Sequence, residues 1–344
     1  MTFSKKFLTV LSAMALVTLM AQGAFAAKSI KLHHLNPNES FGNPSGASAL
    51  VFKNLVESGS NGDIKVDIFP DSQLGKGNEV LQQVKSGVIQ LGIHTTGEIA
   101  SVYPLISVLD LPFAFPNHAV AYEVFDGPFG KKLAGDISNK TGMLCLGFGD
   151  SGGYFQITNS KRPIKAVEDL KGLKIRTMAL PTHQSFISSL GGQPVAIAWP
   201  EVYTALQTGV ADGQMNPMTI IEFAKLYEVQ KYMTITNHLF APQMWMVNQQ
   251  FWDGLSDSEK TLVRASSRTA IVTSRGIANA IEASERGLPS LQSKMEVNSL
   301  TAEDKKKLGE LSTPAVRAII EKNFGAEGKA LLDEFMAAVA EAGK

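Results

Sequence analysis

Residues 30–94 alternate between strand-like and helix-like runs, and no other feature of the chain limits its fold as strongly. Residues 30–34, 64–69 and 90–94 are short runs of β character. Between them, Leu50, Val51, Leu55 and Val56 recur at helical spacing, as do Val80, Leu81 and Val84. This β-α-β-α-β order predicts an open α/β sheet with helices on its faces. Ligands of such sheets sit beyond the carboxyl ends of the strands. His34, Asn36, Thr95 and Thr96 follow predicted strands and are therefore candidate cleft residues.

A second α/β unit begins near Gly153. Residues 155–159 and 173–176 are expected strands, and 181–190, 200–208 and 220–227 are expected helices. Residues 244–248 read as a strand that returns to the first unit. The 344 residues exceed what one hydrophobic core holds, so two lobes are expected. Lobe 1 takes 27–152 plus about 242–278, and lobe 2 takes 153–241 plus about 279–344. A chain that crosses between lobes more than once makes a hinge of several short segments. The last hundred residues are helical: a long helix over 256–287, opened by a Ser256/Glu259 capping box, then 301–324 and 327–342.

The first 26 residues read as an export signal. Lys5 and Lys6 precede an apolar run over 7–20, and Ala24-Phe25-Ala26 has the small-x-small cleavage pattern. Removing them leaves 30 Lys and Arg against 32 Asp and Glu, without the basic excess a nucleic-acid partner needs. No later run is apolar enough to span a bilayer, so direct membrane insertion is not expected. The single Cys145 forms no internal disulfide and lies in a strand-like run over 143–148, where core packing is its expected role.

Enzyme signatures are missing. The six histidines lack HExxH spacing, adjacent His33 and His34 point to opposite faces of a strand, and no CxxC occurs. No P-loop, dinucleotide fingerprint or nucleophile elbow is present. Neither catalytic metal nor cofactor is expected. The Gly-rich stretch over 147–153 reads as a hinge or strand-end turn.

Residues 171–217 read KGLKIRTMALPTHQSFISSLGGQPVAIAWPEVYTALQTGVADGQMNP. This block resembles the central signature of the solute-binding proteins of tripartite ATP-independent periplasmic (TRAP) transporters. Nearly all of the chain after the leader fits that family. The resemblance implies a two-lobed periplasmic-binding-protein-like α/β fold of the class II type, with hinge segments, a long lobe-spanning helix and a helical C-terminal part. It implies a periplasmic receptor, not an enzyme. The receptor closes on a small organic anion and docks on small and large membrane subunits driven by a sodium gradient.

From its residues alone, Arg176 is either a surface partner in a salt bridge or an anion anchor, since a guanidinium fork matches a carboxylate or sulfonate. The resemblance makes it the carboxylate anchor, because the arginine after KGLKI has that role in the family. Asn216, within DGQMNP, matches the asparagine that hydrogen-bonds ligand beside the arginine. Trp199 either walls the cleft, as an aromatic does at that position in relatives, or packs in a core. Thr95, Thr96, His34 and Asn36 match segments that line the cleft in relatives.

One position departs from the family. In GGYFQITNSKRP, Phe155 stands where many members carry a second arginine. A second anionic contact is then in doubt, which favours a small monocarboxylate or sulfonate over a dicarboxylate. Tyr154, Phe155, Trp199 and Trp245 are candidates for an aromatic box, with His34 and Lys76 as replacement cations. A periplasmic enzyme acting on a small acid and a sensory receptor are the competing classes.

Overall fold

Ten strands carry the computed structural model, which describes residues 28–344. The leader expected at 1–26 lies outside the described residues. In chain order the strands are β1 (Lys28–His33), β2 (Ile64–Phe69), β3 (Leu91–Thr95), β4 (Met143–Asn159), β5 (Lys174–Thr177), β6 (Gln193–Ala196), β7 (Gly213–Pro217), β8 (Tyr232–Ile235), β9 (Phe240–Asn248) and β10 (Glu296–Ser299).

The first lobe is the α/β unit that the alternation predicts. β1 pairs in parallel with β2 and β3, and the helices Pro44–Gly59 and Gly77–Ser86 make the crossovers. The helix Pro44–Gly59 begins where the Asn43 side chain accepts the Gly46 N–H and Pro44 fills the first turn. It buries Ala49, Phe52 and Val56 against Ile30, Leu32, Ile64 and Val66. The helix Gly77–Ser86 ends at Gly87, whose φ of 82° a side-chain-bearing residue rarely adopts.

β4 belongs to both lobes. Its first half pairs antiparallel with β9, which in turn pairs with β3. Its last residues pair antiparallel with β7 and β8 in the second lobe. Between the halves the register breaks from Asp150 to Tyr154, and Gly152 and Gly153 take φ of 152° and 89°. A Cβ at Gly152 would stand 3.2 Å from Pro217 and Thr219, a tight contact added to a backbone conformation that favours glycine. The Gly-rich stretch is thus a bulge inside one long strand, and β4 is the strand that the two sheets share. The second sheet runs β4-β7-β5-β6, with β8 attached to β4 and β10 to β8.

The helix Asp257–Glu282 opens with the expected capping box: Ser256 Oγ accepts the Glu259 N–H at 3.3 Å, and Glu259 accepts the Ser256 N–H at 2.6 Å. It packs Val263, Ala270 and Ile271 on the first lobe and reaches the second-lobe helix Met218–Phe223. The C-terminal helix Ala302–Ala342 breaks at Gly325, φ 56°, between the two helices expected from sequence. It shares the bracing role. It packs on the second-lobe helix Pro181–Ser189, while Phe335 meets Phe115 and Phe129 of the first lobe. Among the described residues no helix is long and apolar enough to cross a membrane. Cys145 is buried, and burial pushes its thiol up to about 12, as core packing requires.

Buried histidines set the acid sensitivity of this fold. Burial lowers His33 to about 4 and His34 to about 3, and takes His238 well below the ordinary value. The unfolded chain therefore binds protons below pH 6.5 that the native state refuses. The stability these three histidines contribute is full above 6.5 and falls as pH drops toward 4, by up to about 1.4 kcal/mol per pH unit for each of them. Urea midpoints measured from pH 7.5 to 4 should decline mainly below 6.5; a flat profile contradicts this account.

Candidate functional site

The two lobes enclose a cavity of about 380 Å³. They touch across its mouth, where Lys76 Nζ meets Glu201 Oε1 at 2.5 Å. A Cβ at Gly97 would come 2.7 Å from Met178 Sδ.

Arg176 is on β5, held between Val195 of β6 and Gln214 of β7. The strand aims it into the cavity, yet the residue is only 4% exposed. Its Nε donates to the Ile197 carbonyl at 2.9 Å. Burial alone lowers its pKa, to about 10, and no carboxylate among the described residues offsets that loss. The guanidinium is thus still charged at neutral pH. A desolvated cation without a counter-ion is unfavourable by several kcal/mol, and an anion in the cavity removes that penalty.

Asn216, at the end of β7, lines the same cavity two residues beyond Gln214, and its Nδ2 donates to Gln214 Oε1 at 2.5 Å. Trp199 fits both sequence readings: it opens a 3₁₀ turn on the cavity wall and packs against the core around Val202 and Leu206. From the first lobe come Asn36 and Thr95. Thr95 caps the short helix Thr96–Ile99, with its N–H and hydroxyl donating to Glu98 Oε2 at 2.8 and 3.2 Å.

Five candidates do not line the cavity. Thr96 is buried inside the short helix that Thr95 caps. His34 is buried without a polar partner among the described residues, and Leu35 and Asn36 face the cavity instead. Phe155 lies opposite Pro217, so strand alternation puts it on the face away from Asn216, which is opposite Gln156. It packs on His183 and His238. Tyr154 packs on His118 and Phe240. Trp245 stands two residues deeper in β9 than Gln243, edge-on to Phe52. The expected aromatic box is therefore not assembled, and Trp199 is its one member at the cavity.

Four further polar residues, Ser45, Gln243, Glu98 and Glu79, complete the wall. Asn36 Nδ2 donates to Ser45 Oγ at 3.1 Å, and Ser45 donates to Gln243 Oε1 at 2.9 Å. Gln243 Nε2 is buried and finds no partner among the described residues. Glu98 and Glu79 add carboxylates. Burial pushes Glu98 upward, but His94, 3.5 Å away, and the Thr95 donors outweigh it and hold the carboxyl below its ordinary value. The Thr95-to-Glu98 capping pattern was legible in the sequence; the pairing of Ser45 with Gln243 joins residues 198 apart and had no local signal. Among the described residues the cavity thus has one uncompensated cation, in the second lobe, and carboxylates, neutral amides and hydroxyls in the first.

The model of "bacterial extracellular solute-binding protein, family 7" matches residues 35–323. The chain belongs to this family. The C4-dicarboxylate-binding periplasmic protein DctP of Rhodobacter capsulatus is 34% identical over 290 residues, covering 83% of this chain and 84% of that protein. The sugar acid-binding protein DctPAm of Advenella mimigardefordensis, solved with galactonate, superposes with a TM-score of 0.85 at 29% identity, covering 92% of this chain and 98% of that one. A TRAP solute-binding protein of Polaromonas sp. JS666, bound to D-erythronate, gives 0.81 at 32% identity, with 90% and 98% covered. The chain is a TRAP-type solute-binding receptor for small organic acids with the two-lobed fold of these relatives. Relatives named for a C4-dicarboxylate and for sugar acids define no narrower class, so the expected restriction to a small monocarboxylate or sulfonate does not hold for the family.

Proposed function

We propose that this receptor works in the periplasm, captures a small hydroxylated monocarboxylate between its lobes and delivers it to TRAP membrane subunits. The observation that carries the reading is Arg176: a nearly buried cation in the cavity wall whose shift has burial as its only cause. A ligand carboxylate is the counter-ion it lacks. Asn36, Ser45 and Gln243 supply amide and hydroxyl partners suited to ligand hydroxyls. A second carboxylate would face Glu98 and Glu79, and Lys76 is already paired with Glu201. Solved relatives carry galactonate and D-erythronate, acids of this kind. A cavity of about 380 Å³ suits a small organic acid.

Residues 27–152 with about 242–278, and 153–241 with about 279–344, move as the two bodies in this proposal, and β4 and β9 flex between them. The export leader expected over 1–26 supports the periplasmic location. A dicarboxylate is the second reading: Lys76 lines the cavity, its partner Glu201 is exposed, and the Rhodobacter relative is named for C4-dicarboxylates.

A thermal-shift panel of sugar acids, simple monocarboxylates, dicarboxylates and sulfonates tests the proposal. Ligand at 100 times its dissociation constant adds about 2.7 kcal/mol, which raises Tm by several degrees. The largest shifts are expected with sugar acids. Shifts confined to dicarboxylates would mean that Lys76 leaves Glu201 for the ligand and that the proposed class is wrong.

A further inference from the structure

We infer that a buried chain of side chains fixes which way the Asn216 amide faces, and thereby makes the cavity selective for acids with a hydroxyl next to the carboxylate. The inference rests on Arg176 as the carboxylate anchor and deepens that reading.

The chain starts at Gln230, 2% exposed between β7 and β8. One end of its amide faces two backbone carbonyls, Val229 at 2.9 Å and Asp212 at 3.4 Å. Carbonyl oxygens only accept, so that end is Nε2. Oε1 is then left for Thr158, whose hydroxyl donates to it at 2.9 Å. Having given its proton away, Thr158 Oγ1 accepts from Gln214 Nε2, also at 2.9 Å. Gln214 must therefore turn Oε1 toward Asn216, which meets it with Nδ2. Thr158 and Gln214 have no exposure to water that would let the order reverse.

The consequence falls on the other atom of the amide. Asn216 Oδ1 accepts from no group among the described residues and is not sealed from the cavity that Asn216 lines. An acceptor held there calls for a ligand donor. Gln214 is the register partner of Arg176, and Asn216 is two residues further along the same face. The ligand group at Asn216 is then the neighbour of the anchored carboxylate, which is its 2-position. A 2-hydroxyl donates to Oδ1. A 2-oxo group brings only lone pairs, and a methylene brings nothing. Gln214, Thr158 and Gln230 are positioning residues that act through Asn216.

The test is calorimetric titration with erythronate and galactonate, each beside its 2-deoxy and 2-oxo counterparts. The wild type should bind at least one 2-hydroxy acid about tenfold or more tighter than both counterparts, since a site built around a hydroxyl rejects analogues lacking it. Thr158→Val keeps the side-chain shape and cuts the chain. Its preference should fall to about threefold or less, while Thr158→Ser restores it. Affinities within threefold across the three forms in the wild type overturn the inference and leave the acid-receptor reading standing. So does a full preference in Thr158→Val. If none of the acids binds, both fail. Should Thr158→Val not fold, the wild-type series and Thr158→Ser still decide.

Discussion

Arg176→Ala is expected to weaken acid binding by about 10²–10³-fold, or about 3–4 kcal/mol, without unfolding the chain. The guanidinium is the cavity's cation without a protein carboxylate among the described residues, and a carboxylate bound without it would be a desolvated anion with no counter-charge. Arg176→Lys should recover only part of the loss, because an ammonium keeps the charge but not the paired donors. Stability of the ligand-free protein gives an independent check. In the empty cavity Arg176 is desolvated and unpaired, so Arg176→Met should melt at or above the wild-type temperature while losing the ligand-induced shift. A large drop in ligand-free Tm would instead make Arg176 a structural residue.

Trp245→Ala should do the reverse. The indole is fully buried beside Phe52, in the core that joins the first sheet to the helix Pro44–Gly59. Truncation should destabilise by about 3–5 kcal/mol in urea titrations, while the protein that stays folded binds acid within about twofold of wild type. A variant of normal stability with lost affinity would return Trp245 to the cavity wall.

These two side chains mark where the sequence was legible and where it was not. The first lobe was readable because a half-buried strand and an amphipathic helix have different periods. β2 and the helix Gly77–Ser86 fall on the expected residues. The Ser256 box and the break at Gly325 were equally local signals. β4 was harder. Residues 143–148 and 155–159 read as separate strands, because glycines at 152 and 153 look the same in a turn as in a bulge within one strand. In the site, Arg176 and Asn216 rested on a motif. The aromatic box failed because aromatic character says nothing about which face of a strand a residue takes. Pairing with Pro217 decides that for Phe155, and depth along β9 decides it for Trp245. The contact of Ser45 with Gln243 depends on how the start of the helix Pro44–Gly59 meets β9, which no local pattern encodes.

The account's central claim is that a ligand carboxylate completes Arg176. A crystal structure of the chain from Ala27 onward, with the acid that binds most tightly, tests it directly. The carboxylate should lie within hydrogen-bond distance of both terminal nitrogens of Arg176, with the hydroxylated tail toward Asn36, Ser45 and Gln243. A carboxylate seated on Lys76 instead, with Arg176 facing the tail or left unpaired, would contradict it.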